Sequence, residues 1–327
     1  MIKDDRLKHL REWIEENFGR IEYSLVPVSG DASFRRYFRF KSDQQQFIAV
    51  DSPPEKESND AFVHVTHLLA AEGLPVPHIH YSTLDFGFFL LEDLGDELLL
   101  NILNDDNVDM LYAKALNALT LIQQTSADSL PLYDEKLLLQ EMELFRDWYL
   151  VKHLNFDIDQ DEHQILDTTF KTLANSALQQ PQVFVHRDFH SRNLMDINGK
   201  YPGIIDYQDA VNGPITYDLV SLLRDCYIKW PDEKVTGLAL EFYKNPKSKN
   251  ILKNIDETTF IKWFDLMGIQ RHLKAIGIFS RLNIRDNKPN YLNDIPRTLN
   301  YIITIAAKYP ETKNLAELLQ NKVNIKK

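Results

Sequence analysis

The sequence predicts an α+β protein of two lobes, a small strand-rich lobe over residues 1–94 and a large, mainly helical lobe over residues 95–327. Two patterns carry this. Before residue 95 short β-favouring runs alternate with turn signals, and after it nearly every apolar pattern repeats at helical spacing. Length agrees, because 327 residues with 44% hydrophobic content can bury a large core and divide it between two lobes.

Taken in order, Leu7, Leu10, Ile14 and Phe18 recur at helical spacing and predict an amphipathic opening helix. Three strands follow, Tyr23–Val28, Phe34–Lys41 and Gln46–Asp51, separated by Gly30-Asp31 and Ser42-Asp43. A helix from about Ser58 to Ala71 is closed by Gly73, Pro75 and Pro77. Strands His78–Thr83 and Phe86–Glu92 flank a turn at Leu84-Asp85, and Leu90-Leu91-Glu92-Asp93-Leu94-Gly95 reads as the connector into the second lobe. There the helical pattern is broken chiefly by a ribbon from Val183 to Asp206. The strand that leads into it is Gln182–Val185, and an Asn198-Gly199 turn pairs Leu194–Ile197 with Tyr201–Ile205. No internal repeat or low-complexity tract is present.

The ribbon carries the most specific chemistry. His186-Arg187-Asp188-Phe189-His190-Ser191-Arg192-Asn193 places an Asp five residues before an Asn, and Asp206 follows thirteen residues later in Gly203-Ile204-Ile205-Asp206. In phosphoryl transfer an Asp orients the attacking hydroxyl, an Asn holds magnesium, and a second Asp bridges metal to phosphates. Asp188, Asn193 and Asp206 fill those places. With this motif in its larger lobe, the two-lobed plan becomes a bilobal protein-kinase-like fold.

Two further segments fit a nucleotide. Ser29-Gly30-Asp31-Ala32-Ser33-Phe34-Arg35 lies between the first two strands, where small residues permit close backbone approach to phosphates and arginines neutralise them. Its single glycine also fits an ordinary hairpin with a solvated basic strand. In the connector, the main-chain carbonyl and amide of Glu92 and Leu94 are candidates for the adenine edge.

Composition excludes other classes. A net charge of −11 disfavours a nucleic-acid-binding face. Cys226 is the single cysteine, so no internal disulfide forms, and its apolar surroundings suit a buried small hydrophobe. The opening residues lack a secretory apolar run and no stretch reaches the roughly 20 apolar residues of a membrane span, so a cytoplasmic protein without membrane partner is expected. Nothing in the sequence calls for an obligate protein partner. The pairs His64/His67 and His78/His80 complete no metal site and are read as structural.

Four stretches carry a family resemblance: Gly30–Tyr37, Val185–Met195, Gly203–Asp225 with its Gly213-Pro214-Ile215-Thr216-Tyr217-Asp218-Leu219, and Gly268–Leu282. The chain resembles the aminoglycoside phosphotransferase family of small-molecule kinases, and within it the bacterial cell-wall-recycling sugar kinases that act on the anomeric hydroxyl of N-acetylmuramate and N-acetylglucosamine. The resemblance implies ATP and Mg2+ as cofactors and a small sugar as substrate. It implies Asp188 as catalytic base, Asn193 and Asp206 as metal ligands, and Gly30, Ala32, Ser33, Phe34 and Arg35 as the nucleotide loop. Asp218 matches an acidic position expected to hold the catalytic loop. A lactyl carboxylate would favour cationic partners, for which His190, Arg192, Arg271, His272 and Lys274 are candidates, and Asp209 is a candidate for a sugar hydroxyl.

One departure stands out. Phe47-Ile48-Ala49-Val50-Asp51 ends in a carboxylate where a protein kinase has its phosphate-pairing lysine, so the alignment slips there or Arg35 or Arg36 takes over. Two alternatives to the sugar kinase stay open: a phosphotransferase acting on an aminoglycoside, choline or related amine, and a nucleotide-binding pseudokinase.

Overall fold

A computed structural model describes residues 4–19, 22–28, 34–42, 45–197 and 202–323. Gly30, Ala32, Ser33 and the Asn198-Gly199 turn therefore lie outside the described residues. The chain packs as two units, residues 1–97 with 195–209, and residues 98–194 with 210–327. The helical spacing beyond residue 95 predicts a single boundary near residue 94, whereas packing returns 195–209 to the first unit.

The first unit opens with α1 (Asp5–Phe18), whose N-cap Asp4 accepts the Leu7 amide. The strands are β1 (Tyr23–Val28), β2 (Arg36–Ser42) and β3 (Gln46–Asp51); after α2 (Asn59–Ala71) come β4 (Ile79–Thr83) and β5 (Phe88–Glu92). They form one antiparallel sheet in the order β1-β2-β3-β5-β4. Strand β2 begins at Arg36 rather than Phe34, and β5 at Phe88 rather than Phe86. Alternation sorts the side chains: Leu10 and Ile14 of α1 pack on Phe38, Phe40, Phe47, Ala49, Phe88 and Leu90, while Val50, Phe89 and Leu91 face the opposite side with Phe62 of α2. The unbroken apolar run of β5 follows, because both of its faces are covered.

In the second unit α3 (Leu99–Ile102), α4 (Val108–Ile122) and α5 (Glu135–Leu144) lead into a π-helical stretch, Phe145–His153, and then α6 (Gln160–Leu178). Strand β6 (Gln182–Val185) leads to the catalytic segment. Strands β7 (Leu194–Asp196) and β8 (Pro202–Ile204) pair as the ribbon pattern predicts. The partner of β6 is β9 (Val211–Pro214), in antiparallel register. Helices α7 (Tyr217–Leu223), α8 (Asp232–Lys244), α9 (Pro246–Ile251), α10 (Glu257–Asp286), α11 (Ile295–Ala306) and α12 (Lys313–Lys322) complete the chain, with a 3-10 turn at Pro289–Asp294.

Helix α10 is the axis of this unit and is buried on most of its circumference from Phe260 to Leu282. It stops at Asn287, which takes the left-handed conformation common at helix ends. Its closest approach is at Gly277, where an added Cβ would stand 2.4 Å from the Leu144 carbonyl carbon, at the junction of α5 with the π-helix. Backbone is not a yielding neighbour. Gly277→Ala is expected to cost about 1–3 kcal/mol by forcing the helices apart, read as a lower denaturation midpoint; an unchanged midpoint would show that the junction relaxes freely.

Candidate active site

Strand β6 delivers the chain to a segment whose buried amides need acceptors. Asp218, at the start of α7, supplies them: one carboxylate oxygen accepts the His186 amide at 2.6 Å and the other the Arg187 amide at 3.0 Å. Those bonds hold Arg187 at a φ of +76°, left-handed for a residue that is not glycine. Beyond it the His190 amide and the Asn193 side-chain amide both donate to the Asp188 carbonyl, each at 3.0 Å. Asp225 fixes the next turn, accepting the Ser191 amide at 2.9 Å, the Ser191 hydroxyl at 2.5 Å and the Tyr227 amide at 2.9 Å. Two buried carboxylates therefore set the backbone on which Asp188 and Asn193 stand.

Charge around Asp188 is strongly cationic. Burial raises its carboxyl, but Lys274, His190, Arg187 and Arg271 outweigh burial and bring it down to about 2, so it is an anion throughout the neutral range. Asp218 goes the other way: burial pushes it up to about 7 against the pull of the His186 and Arg187 amides. Glu141 of α5 gathers the cations. It is ion-paired with Arg187 and, at 3.2 Å, with Lys274, and it accepts the Tyr133 hydroxyl. Lys274 also donates to the Tyr217 hydroxyl at 2.9 Å. Burial raises the Glu141 carboxyl, but Lys274, Arg187 and the Tyr133 hydroxyl together carry it below its ordinary value.

Polar atoms near the loop stay uncompensated. Neither His190 Nδ1 nor Arg271 Nε has a hydrogen-bond partner, although both are buried. Buried orphans of this kind mark a place where a ligand completes the network. Burial also holds His190 below its ordinary pKa, so its imidazole is neutral near pH 7. His272 is different. Its Nε2 meets the Arg224 carbonyl at 2.8 Å, its ring stacks on Tyr301 at 5.0 Å, and burial lowers it to about 3. Core packing accounts for His272 without a ligand, and the structure does not bring it to the loop.

The first unit carries the remaining candidates. Asp206 is exposed, with φ at +65°, and accepts the Gln208 side-chain amide at 2.9 Å. Its neighbour Tyr207 is buried, stacks on Phe62 of α2 at 5.6 Å and bonds the Thr66 hydroxyl at 2.9 Å, which anchors this segment to the first unit. Asp209 is exposed. Phe34 is exposed and donates its amide to Glu57 at 3.0 Å. Arg35 is buried, donates from Nε to the Ser52 hydroxyl at 3.1 Å and lies 3.6 Å from the Glu57 carboxylate. Asp51 is fully buried and is held by Arg6 at 2.7 Å and by Arg36 at 2.9 Å. Arg36 is also bound to Asp4. In the connector the Glu92 amide is bonded to the His78 carbonyl at 2.8 Å, while the main-chain groups of Leu94 have no partner among the described residues.

Magnesium prefers a few hard oxygen donors and keeps waters and phosphates for its other positions. Taken one at a time, the two motif residues carry donors of that kind: Asn193, whose NH2 donates to the Asp188 carbonyl, has an amide oxygen, and Asp206 has a carboxylate. Among the described residues no group of three or more His, Cys, Asp or Glu could enclose a metal by itself.

The model of the phosphotransferase enzyme family matches residues 24–247, most of the chain, from β1 through the catalytic segment to α9. The chain belongs to that family. This phosphotransferase is 41% identical to an N-acetylmuramate/N-acetylglucosamine kinase of Pseudomonas aeruginosa, over 98% of this chain and 97% of that one. It is 37% identical to the enzyme of the same name from Neisseria meningitidis, over 95% and 94% of the two chains. Among solved structures, a choline kinase from Streptococcus pneumoniae aligns with a TM-score of 0.65 over 92% of this chain and all of that one at 14% identity. An ADP-bound aminoglycoside phosphotransferase aligns at 0.59 over 90% and 97%, also at 14%. The fold is protein-kinase-like, and the nucleotide held by that aminoglycoside phosphotransferase is ADP.

Sequence reasoning missed Glu141, Tyr133, Asp225 and Tyr227. Glu141 left a signal, since it interrupts the apolar stripe Leu138, Met142 and Phe145, and a lone carboxylate there demands buried partners. The others gave none.

Proposed function

We propose that this chain is an ATP-dependent kinase that phosphorylates the anomeric hydroxyl of N-acetylmuramate, N-acetylglucosamine or both. The observation that carries the reading is 41% identity to a kinase so named, spread over essentially both full lengths rather than the motif alone. The cationic surroundings of Asp188 also favour an anionic or neutral sugar over an amine, which would call for carboxylates and aromatics. A cytoplasmic site of action belongs to this proposal, and no described helix is long and apolar enough to cross a membrane.

Asp188 is proposed to orient the attacking hydroxyl. An anomeric hydroxyl is more acidic than an ordinary alcohol, so a carboxylate with a pKa near 2 suffices as a weak base that aligns the oxygen and receives its proton late. Asn193, on the second unit, and Asp206, on the first, each match a magnesium position of the motif. Magnesium, when bound, neutralises charge on the transferring phosphoryl group. Glu92 and Leu94 are proposed to meet the adenine through their main chain, and Gly30, Ala32, Ser33 and Phe34 to cover the phosphates.

Arg35 is proposed to replace the missing lysine. Asp51 is committed to Arg6 and Arg36, whereas Arg35 is steadied by Glu57 much as a phosphate-binding lysine is steadied by a glutamate. Arg35→Ala should raise the dissociation constant for Mg-ADP about 10- to 100-fold, the weight of one or two charged hydrogen bonds. Calorimetric titration reads this directly, and unchanged affinity would remove Arg35 from the role.

The function itself is tested by offering Mg-ATP with N-acetylmuramate, N-acetylglucosamine, kanamycin and choline in parallel and locating the new phosphate by phosphorus NMR. Phosphate on C1 of an amino sugar is the expected result. Transfer only to kanamycin or choline would replace the sugar reading with the amine one.

A further inference from the structure

Arg192 stands one residue before Asn193 and four after Asp188, on the same rigid turn. Its guanidinium lies over the Tyr227 ring at 3.8 Å, with the Tyr291 ring at 5.9 Å. Those rings belong to a built wall: Phe279 of α10 stacks on Tyr291 at 5.6 Å and stands 6.2 Å from Tyr227, and His190 meets Tyr227 edge-on at 5.3 Å. Asp225 locks the two parts together, because it binds the backbone amides of both Ser191 and Tyr227.

What Arg192 lacks is an acid in hydrogen-bond contact, although its charge acts on Asp294. Among the described residues it makes no hydrogen bond and no ion pair. Two carboxylates lie in its neighbourhood and both are occupied. Asp225 holds the turn, and Asp294 accepts from Arg297 at 3.1 Å, which also donates to the Cys226 carbonyl at 2.6 Å. The remaining ionisable groups at this turn are Asp188, which is kept for the attacking hydroxyl, and His190 and Arg271, which are not acids. A guanidinium held over a ring at 3.8 Å is restrained before any ligand arrives, so its planar fork can meet a carboxylate at reduced entropic cost.

We propose that Arg192, on its Tyr227 platform, receives the lactyl carboxylate of N-acetylmuramate and so sets the preference between that sugar and N-acetylglucosamine. The inference rests on the sugar-kinase reading. The two sugars differ only by this lactyl ether, carried on C3, two ring carbons from C1. A cation on the same turn as the orienting Asp188 is placed to engage that anion while the anomeric hydroxyl meets Asp188. Arg271, whose charge bears directly on Asp188, is nearer the chemistry. An oxyanion at Arg192 could equally be a phosphate of the nucleotide, and the experiment separates the two sources.

The measurement is kcat/KM for both sugars, with KM for Mg-ATP, in the wild type, Arg192→Met and Arg192→Lys. The ratio of N-acetylmuramate to N-acetylglucosamine should fall about 10- to 100-fold in Arg192→Met, as expected for a bidentate charged pair, and less in Arg192→Lys, which keeps charge but not the fork. A second arm needs no mutation: the methyl ester of N-acetylmuramate should be a poorer substrate for the wild type by a similar factor, and Arg192→Met should treat acid and ester alike. An unchanged sugar ratio, or a raised KM for Mg-ATP with both sugars losing the same factor, overturns the proposal and gives the guanidinium to phosphate. A wild type that discriminates neither acid from ester overturns it too. Failure of the wild type to use either sugar overturns the sugar-kinase reading along with it, and is seen before any variant is made.

Discussion

Asp188→Asn is expected to lower kcat by about 10²–10⁴, the range a positioned general base contributes, while Mg-ADP still binds. The substitution is nearly isosteric, so the loop keeps its geometry. The backbone bonds that define it run through the Asp188 carbonyl and through Asp218 and Asp225, not through the Asp188 carboxylate. The charge does change. Lys274, Arg187 and Arg271 lose an anion that acts on them, which weakens any interaction requiring an oriented hydroxyl and strengthens the field felt by phosphate. Nucleotide affinity should hold or rise as turnover collapses. Single-turnover kinetics with a separate binding titration reads both, and turnover within threefold of wild type would remove Asp188 as the orienting base.

Residues whose chemistry depends on short spacing are legible in the sequence itself. Asp188 and Asn193 are five apart, and the same turn joins them through the Asn193 amide and the Asp188 carbonyl. Asp218 is legible as a loop holder because an acid before the apolar run Leu219-Val220 has to satisfy something buried, and it accepts two amides of the loop. What stays hidden are pairings between distant segments. Nothing in the local pattern announces that Asp51 is met by Arg6, 45 positions away, so the apparent lysine gap reads as a lost function rather than as an ion-paired knot tying α1 to the sheet. Helical spacing puts Arg271 and Lys274 on one face, but it does not say which neighbour each residue finds, and His272, next to Arg271, points about 100° away from it. Arg271 thus meets the field of Asp188, while His272 turns to Tyr301. Likewise, the return of 195–209 to the first unit depends on Tyr207 stacking on Phe62, a contact between segments that no local pattern encodes.

Glu141→Ala should be the most destabilising of the single substitutions considered, at about 3–5 kcal/mol, because it strands two buried cations rather than removing a pair. Arg187 and Lys274 both end on this carboxylate, and its side chain is 7% exposed, so water cannot take its place. Arg187 belongs to the turn that presents Asp188, so turnover should fall with stability. Acid dependence identifies the cause. The folded carboxyl is held below the ordinary glutamate value of 4.5, so its contribution is fully present above that pH and is lost as pH falls through the lower folded value. The gap between wild type and Glu141→Ala should therefore be widest near pH 7 and should narrow steadily below pH 4.5. Urea midpoints followed by two probes, one for each unit, would read the gap without assuming that both unfold together. A gap that stays constant from pH 7 to pH 4 would mean that the loss is one of packing, not of charge.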